Sequence, residues 1–419
     1  MNNSDGIFCK LRFFDMALIV QKFGGSSVAD ISRISNVAQI IKKTKEQGHE
    51  VVVVVSAMFG ETDRLIRLST EASKKKNLRE YDALLATGEQ ISAAITAIKL
   101  TDLGCPARSY NANQVQILTD ANHSKANIIE VNARRLKADI KEGVIPVVAG
   151  FQGITIDGDF TTIGRGGSDI TAVMLAAVLH AKECQIFTDV DGVYTSDPRI
   201  VSDAKKIAQI SFEEMWHLAE LGAKVLQKNS VKLADRYQIP IRVLSSFETG
   251  LGTLVTPQVA EEQPILSGIA FDRYQTKLTL SGFPKKKEII DNFINSINEA
   301  AIDIDMLVQI SSPNSIYLDF CFTVHQNDCD QVLSISKKEY NKIDNSKISI
   351  DNSIAKLSLV GVGMKSHAGM ASKVVEVLTQ QGIGIQLITS SESKVSTIIA
   401  EQDLERGACL LHSAFDFNH

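Results

Sequence analysis

The chain has 419 residues, which is long enough for two or three domains with separate cores. Its 44 basic and 49 acidic residues give a formal net charge of −5, which argues against a protein that wraps nucleic acid or docks on anionic lipid. Hydrophobic residues make up 44% and charged residues 22%, so the composition excludes a disordered or fibrous protein and indicates a globular one.

The six cysteines are scattered, without a CxxC pair or a Cys/His cluster at metal-ligand spacing. The sequence therefore predicts neither a disulfide framework nor a structural metal site. The apolar stretch 170–181 is about half of the ~20 residues that cross a bilayer, so no membrane span is predicted. Residues 1–15 lack a signal-peptide pattern and are predicted to be a disordered extension. These features favour a cytoplasmic protein.

From Met16 to about residue 260, short apolar runs alternate with helix-periodic segments, which is typical of a mainly parallel sheet covered by helices. Asp30 is the predicted N-cap of the first helix. The predicted strands are residues 18–22, 51–55, 107–110, 145–149, 185–188 and 241–244. The predicted helices are residues 62–74, 83–99, 127–141, 168–181, 212–221 and 225–236. An Asp-Gly-Asp turn predicts a hairpin within 153–163.

A second part of the chain follows a boundary near residue 260, where two prolines stand among few large apolar residues. Segment 301–308 resembles segment 382–389, an offset of 81 residues. Each segment is preceded by a helix-periodic stretch and followed by a strand and a second helix. Two small β-α-β-β-α units, residues 261–345 and 346–419, explain this spacing. Units of this kind leave sheet edges free to pair with another copy.

Three glycine-rich or acidic turns follow predicted strands: KFGGSS at 22–27, GRGGSD at 164–169 and TDVDGVY at 188–194. The carboxyl ends of parallel strands face the ligand crevice, so these turns can converge on one site. Glycines let backbone N–H groups approach phosphate oxygens, and Lys22 and Arg165 supply positive charge for a transferring phosphoryl group. A single glycine pair is as well explained by a tight turn, but three such turns together favour a phosphate site.

The chain has neither a Walker sequence nor the protein-kinase motifs, so phosphoryl transfer requires another fold. A set of motifs in this order resembles the monofunctional aspartokinases: KFGGSS at 22–27, VSAM at 55–58 with ETD at 61–63, TGE at 87–89, GRGGSD at 164–169, TDVDG at 188–192 and VLSS at 243–246. The likeness extends from Met16 to the C-terminus, where the tail resembles paired ACT domains that bind amino-acid effectors. It implies an α/β fold with a mainly parallel open sheet of the amino-acid kinase type at 16–260, followed by two ACT-like βαββαβ units.

The resemblance implies that the ATP γ-phosphoryl group is transferred to the side-chain carboxylate of L-aspartate, giving 4-phospho-L-aspartate. This is the first step towards lysine, threonine and methionine. ATP is then a substrate, and Mg²⁺ is expected on phosphates and water. The acceptor carboxylate, with a reference pKa near 3.9, is already ionised at pH 7, so no general base is needed. A homodimer or higher homo-oligomer through the ACT units is implied, with no nucleic-acid or membrane partner.

The resemblance also assigns roles to individual residues. Lys22 would stabilise the transferring phosphoryl group, and Asp169 would orient that lysine. The implied substrate-binding residues are Ser56, Thr62, Glu89 for the ammonium, Arg165 for the α-carboxylate, Gly166, Gly167 and Ser168. The implied nucleotide-binding residues are Lys22, Gly24, Gly25, Thr188, Asp189, Tyr194, Arg199 and Lys224. Gln309 matches an effector contact.

The tail departs from the family at its effector turn. Where many aspartokinases have Asp-Lys-Pro-Gly, this chain has FPKKK at 283–287, and Gly384 stands where asparagine is common. Three lysines repel an effector ammonium, and the carboxylate suited to it is lost. The sequence therefore predicts that lysine and threonine inhibit weakly or not at all, although a different effector in a remodelled site stays open.

Two other interpretations remain open at this point. Within the same fold, the chain could phosphorylate another acid or a nucleotide, as glutamate, acetylglutamate and uridylate kinases do, but those resemble only the first domain. It could also be a non-catalytic amino-acid sensor built on an inactive kinase domain. Retention of Lys22, Glu89, Arg165 and Asp169 speaks against that second interpretation.

Overall fold

The computed structural model describes residues 16–75, 77–223, 225–257, 266–300, 302–311, 315–339, 348–361, 369–415 and 417. These residues divide into two units. Of the described residues, the first unit contains those up to 193 together with 206–216 and 225–257, and the second contains 194–205, 217–223 and those from 266 onward. None of the helices in the described ranges is long and apolar enough to span a bilayer.

Two sheets organise the first unit. Its strands are β1 (Leu18–Phe23), β2 (Glu50–Val55), β3 (Ala107–Tyr110), β4 (Ile117–Thr119), β5 (Ile128–Val131), β6 (Ile145–Ala149), β7 (Gln152–Ile154), β8 (Phe160–Thr162), β9 (Glu183–Thr188), β10 (Gln209–Ile210), β11 (Ile241–Ser245) and β12 (Thr253–Val255). The large sheet has the order β10-β12-β11-β9-β1-β2-β6-β3, in which only β11 and β12 pair antiparallel. The small sheet has the order β5-β4-β7-β8.

Helices pack around the large sheet. They are α1 (Ile31–Glu46), α2 (Glu61–Ala72), α3 (Leu78–Asp102), α4 (Ala112–Val115), α5 (Arg134–Lys141), α6 (Gly167–Leu179), α7 (Phe212–Glu220), which continues into the second unit, and α8 (Lys228–Tyr237). The Asp30 side chain caps α1 by accepting a hydrogen bond from Arg33 N at 2.8 Å, as predicted. Five consecutive valines, residues 51–55, are buried in β2, which suits a central strand covered on both faces.

The six predicted strands and six of the seven predicted helices, including the one after Asp30, are confirmed, with shifted ends. The hairpin predicted within 153–163 is confirmed as β7 and β8, with Gly158 at a φ of 86° in its turn. The helix predicted at 127–141 is wrong in its first part. There β5 pairs antiparallel with β4, because its run of β-branched residues suits a strand, and α5 begins only after Asn132, whose side chain accepts from Arg134 N.

Two antiparallel sheets organise the second unit. Its elements are β13 (Gly268–Asp272), β14 (Gln275–Pro284), α9 (Lys287–Glu299), β15 (Ile304–Ile310), β16 (Tyr317–His325), α10 (Cys329–Glu339), β17 (Ile348–Asp351), β18 (Ile354–Val360), α11 (Met370–Gln380), β19 (Ile385–Ser390), β20 (Lys394–Ala400) and α12 (Leu404–Ala414). The sheet orders are β15-β16-β14-β17 and β13-β18-β20-β19. The predicted internal repeat is confirmed, because the edge strands β15 and β19 begin 81 residues apart, at Ile304 and Ile385.

The two repeats exchange strands. β13 lies within the first predicted repeat, residues 261–345, but pairs with β18 in the second sheet. β17 lies beyond residue 345 but pairs with β14 in the first sheet. The domain limit between residues 345 and 346 stays a prediction. The strand pairing shows that each sheet contains one strand from the other side of that limit. The predicted fold class, a mainly parallel open sheet followed by two α+β repeats, is confirmed.

Residues 194–205 fold as part of the second unit. Ile269 N on β13 donates to Thr195 O at 2.7 Å, and the Thr195 hydroxyl lies 2.9 Å from His412 Nε2 on α12. Val201 is buried in the same hydrophobic core as Leu357 of β18. This segment therefore interrupts the first unit in sequence and completes the second.

Candidate active site

The carboxyl ends of five parallel strands lie level in the large sheet. Phe23 pairs with Val55 on one side and with Phe187 on the other, and these in turn pair with Ala149 and Leu244. The residues that follow these strands therefore meet at one edge of the sheet, where ligands bind in open α/β folds. KFGGSS and TDVDGVY stand at this edge, as the sequence predicts, and the motifs VSAM and VLSS stand there too.

An ion pair lies at the centre of this edge. Lys22 Nζ on β1 is 2.6 Å from Asp169 Oδ1 in the first turn of α6, and the two residues are 9% and 7% exposed. Burying two charges carries a desolvation cost that the pairing offsets only in good geometry, so removing either partner strands the other charge. The pair fixes the ammonium on a rigid strand, which is the requirement for a group that stabilises charge in a transition state.

Gly24 lies beside the ammonium of Lys22. An added Cβ at Gly24 would lie 3.5 Å from Lys22 Nζ and 3.6 Å from Phe187 O. The Gly24 N–H donates to Phe187 O at 3.2 Å, so it is already engaged and differs here from its predicted role as a phosphate donor. Within the described part of the chain, the N–H of Gly25 has no acceptor, so this amide remains available for a ligand.

Glu89 is the most perturbed carboxyl group of this edge. It lies on α3, is 4% exposed, and accepts a hydrogen bond from Ala57 N at 3.1 Å through Oε1. Its Oε2 is buried and has no hydrogen-bond partner among the residues that the structure describes. Burial raises the pKa of Glu89 to about 7, and the Ala57 N–H only partly opposes that rise. A cationic group from a ligand would satisfy this oxygen and restore the ionised form.

The neighbouring loop after β2 is held by the same helix. Ser92 Oγ on α3 donates to Ser56 O at 2.7 Å, and Ser56 N donates to Phe23 O at 3.0 Å. Thr62 lies in the first turn of α2, just after Gly60, whose φ of 75° marks the end of the loop. The predicted residues Ser56 and Thr62 thus stand on the two sides of one loop at the edge of the sheet.

The turn that carries Arg165 follows β8 of the small sheet. Gly167 N donates to Gly164 O at 3.0 Å, and Gly164 and Gly166 have φ values of 85° and 74°, which favour glycine. Arg165 is exposed, and no acidic group in the described ranges forms an ion pair with it. Its guanidinium is available for the carboxylate of a ligand. The chain continues directly into α6, which brings Asp169 to Lys22.

Gly150 is a residue that the sequence analysis missed. It follows β6, and an added Cβ would lie 2.7 Å from Ser168 Oγ and 3.0 Å from Ser168 Cα. Its small size therefore allows the start of α6 to approach the sheet. An isolated glycine after a strand gives little signal in one sequence, because most such glycines only make turns.

The predicted nucleotide residues other than Lys22, Gly24 and Gly25 fall into three groups. Thr188 and Asp189 follow β9, and Ser246 N donates to Thr188 O at 3.0 Å while Ser27 Oγ donates to Ser246 Oγ at 2.9 Å. Tyr194 and Arg199 belong to the second unit, where the Arg199 guanidinium contacts the Asp197 carboxylate at 2.6 Å and lowers the pKa of that carboxyl. Lys224 lies outside the described residues. Gln309 lies on the edge strand β15 of the second unit.

Comparison with known proteins agrees with this arrangement. Residues 17–245 match the family model "Amino acid kinase family", and residues 357–415 match an ACT domain. The chain is 49% identical over 406 residues to the aspartate kinase of Pseudomonas putida, covering 96% of this chain and 98% of that protein. The chain belongs to the aspartate kinase family. Aspartate kinases of this family are phosphotransferases, so the chain is classed as an enzyme of that kind.

Solved structures of the family have the same architecture. E. coli aspartokinase III in complex with aspartate and ADP, in its R-state, is 26% identical with a TM-score of 0.79, covering 95% of this chain and 99% of that one. The same enzyme in complex with lysine and aspartate, in its T-state, has a TM-score of 0.77 at 26% identity, covering 95% and 100%. These similarities support the kinase fold with ACT repeats in this member of the aspartate kinase family.

Proposed function

We propose that the chain transfers the γ-phosphoryl group of ATP to the side-chain carboxylate of L-aspartate and forms 4-phospho-L-aspartate. The observation that carries this proposal is the buried Lys22–Asp169 pair at the level ends of the strands, with Asp169 in the first turn of the helix that follows Arg165. The ADP and aspartate bound by E. coli aspartokinase III support the same pair of substrates here.

The reaction joins two anions, so its barrier is set by positioning and by charge. The aspartate carboxylate attacks the γ-phosphorus while the bond to the β,γ-bridging oxygen breaks, and ADP leaves with that electron pair. Lys22 stabilises the negative charge on the transferring group, and Asp169 keeps the ammonium aimed at it. The nucleophile is already ionised at neutral pH, so the site needs no residue that removes a proton.

Aspartate is held at its other two charged groups. Its ammonium satisfies the buried Glu89 Oε2, and its α-carboxylate pairs with Arg165. Ser56, Thr62, Gly166, Gly167 and Ser168 complete the walls around it. Holding both ends fixes the side-chain carboxylate in line with the γ-phosphorus, and such positioning lowers the barrier to reaction.

The nucleotide occupies the other side of the Lys22–Asp169 pair. The free Gly25 N–H suits a phosphate oxygen, and Thr188 and Asp189 lie at the adjoining strand end. Tyr194, Arg199 and Lys224 are further proposed contacts. In the described ranges, no group of three or more His, Cys, Asp or Glu side chains fits a metal ion by itself. We therefore expect ATP to bring Mg²⁺ held by phosphates and water.

An assay that couples ADP release to NADH oxidation tests this function with aspartate, glutamate and acetylglutamate offered separately. Of the three acceptors, we expect only aspartate to be phosphorylated. We also expect hydroxylamine to trap the product as an aspartyl hydroxamate. Lys22→Ala should lower kcat by on the order of 10² or more, because it removes one preorganised charge. Lys137→Ala, on the exposed side of α5, is the matched control and should behave as the wild type. Turnover with another acceptor, or a wild-type kcat for Lys22→Ala, would contradict the proposal.

We further propose a homodimer or higher homo-oligomer formed through the ACT repeats. Among the described strands, none pairs with the outer sides of the edge strands β15 and β19, and β15 exposes the apolar side chains of Leu307 and Ile310. Edges of this kind pair readily with a second copy.

A further inference from the structure

We propose that Asp82 is a positioning residue for aspartate binding, which fixes the turn of Arg165 without touching the substrate. The inference rests on the proposed function and extends it to a residue outside the site motifs. Asp82 lies on α3, and its side chain is completely buried.

The carboxylate of Asp82 collects hydrogen bonds from two separate segments. Thr162 at the end of β8 donates through its hydroxyl at 2.7 Å and its N–H at 3.0 Å. Ser124 N donates at 2.8 Å, and His123 Nδ1 lies 3.0 Å away. The Ser124 hydroxyl donates as well, at 3.4 Å, so four of the five contacts come from backbone N–H or hydroxyl donors, and the buried carboxylate depends on their geometry.

Both segments support the turn of Arg165. Thr162 is two residues before Gly164, where the turn begins, and its carbonyl oxygen accepts from Ala126 N at 3.0 Å. Ser124 adopts a left-handed φ of 70°, and its carbonyl oxygen lies 3.2 Å from the position of an added Cβ at Gly164. Asp82 therefore holds the strand that enters the turn and the loop against which the turn rests.

The same helix holds the other end of the substrate. Asp82 and Glu89 are seven residues apart on α3, which places them on one face about 10 Å apart along the axis. One rigid helix thus sets the distance between Glu89, for the ammonium, and the turn that presents Arg165 to the α-carboxylate. A change at Asp82 should therefore alter aspartate affinity more than ATP affinity.

Steady-state kinetics of Asp82→Asn test this role. The amide keeps the shape but offers only one acceptor oxygen and sets its NH₂ group against the N–H donors. We expect the aspartate KM to rise by about tenfold or more, with the ATP KM and kcat at saturating aspartate changed by less than about threefold. Asp139→Asn is the matched control, because Asp139 is also buried but accepts from Arg108 and Tyr110 on β3. It should lower the melting temperature and leave the aspartate KM unchanged.

Thr162→Val provides a second test that keeps the shape of the side chain and removes only the hydroxyl donor. We expect a smaller rise in the aspartate KM, about twofold to fivefold, at an unchanged ATP KM. This variant decides the question if Asp82→Asn does not fold. A wild-type aspartate KM in a folded Asp82→Asn or Thr162→Val protein would overturn the inference, as would an equal rise in Asp139→Asn. Wild-type protein without aspartate-dependent ADP release would instead overturn the proposed function.

Discussion

Two opposed effects act on the ionisation of the Glu89 carboxyl group. Its burial on α3 favours the neutral acid, whereas its proposed partner, the substrate ammonium, favours the carboxylate. With a pKa of about 7 in the free protein, the group is close to half ionised at neutral pH. Binding of aspartate would draw the proton off, so the affinity is linked to pH.

The first consequence is a pH-dependent aspartate KM. Only the ionised form of Glu89 attracts the ammonium, so the affinity is full above pH 7 and lost as the pH falls below it. We expect the KM to rise by nearly tenfold for each pH unit below that pKa, measured by initial rates at saturating ATP. Glu89→Gln should have a high KM that is the same at pH 6 and 8. A wild-type KM that does not change over this range would rule out the assigned role.

Residue roles differed in how far the sequence could reveal them. Some site residues belong to short motifs that can be recognised in the sequence alone; these are Lys22, Glu89, Arg165 and Asp169. The engaged N–H of Gly24 could not be foreseen, because its acceptor, Phe187 O, lies on a strand more than a hundred residues away. The seven-residue spacing of Asp82 from Glu89 indicates only that both lie on one helix face. The groups that donate hydrogen bonds to Asp82 lie in two distant segments, which the sequence does not show.

At the scale of elements, the start of α6 depends on a close approach to the end of β6. That approach needs Gly150, since any side chain there would meet the backbone and side chain of Ser168. The first turn of α6 also carries Asp169, so a displacement of this helix would move the partner of Lys22.

Gly150→Ala should accordingly impair catalysis more than folding. Overpacking costs about 1 to 3 kcal/mol, and a displacement of about 1 Å can cost on the order of 10² in rate. We expect kcat to fall by about tenfold or more in a protein that still melts cooperatively. Gly250→Ala is the control, because the nearest atom to an added Cβ there is Gly252 N at 4.0 Å. Equal kcat values for the two variants would disprove the packing argument.

Local sequence patterns predicted most helices and strands, because the periodicity of buried residues can be recognised within a short segment of sequence. The start of the helix predicted at 127–141 failed because the β-branched pair at Ile128 and Ile129 finds a partner in β4. The GRGGSD turn was expected at the end of a strand, but the sequence did not reveal that this strand belongs to the small sheet. The pairing of β5 with β4 and of β8 with β7 decides both cases, and the pattern within one segment does not show which segment it pairs with.

At the scale of the whole molecule, the repeat was readable and the strand exchange was not. The offset of 81 residues shows that two segments are alike, but it does not show which strands pair. β13 and β17 each join the sheet of the other repeat. A break or insertion at 273–274 or 352–353 would therefore disturb both repeats together.

Regulation is the prediction that belongs to this scale. Lys285, Lys286 and Lys287 are exposed at the start of α9, and Lys286 at the N-cap makes no capping hydrogen bond through its side chain. Cations at a helix N-terminus repel an effector ammonium. We expect lysine and threonine, alone or together, to leave the activity nearly unchanged at about 1 mM.

Titration of each amino acid into the ADP-release assay measures this directly, with all other natural amino acids tested in parallel. Strong inhibition by lysine or threonine below about 1 mM would refute the prediction, since that concentration corresponds to only moderate affinity. Inhibition by a different amino acid alone would indicate a remodelled effector site. The lysine bound by E. coli aspartokinase III in its T-state makes lysine the first ligand to test.

Because of residues 194–205, the two units cannot be separated by a single cut in the sequence. This segment lies between two parts of the first unit in sequence, but its Val201 is buried in the core of the second unit. Recombination that joined the kinase part of one relative to the tail of another at residue 260 would pair a tail with a foreign core segment. The unit of exchange is therefore the tail together with residues 194–205 and 217–223, and Tyr194 and Arg199 would be exchanged with the tail.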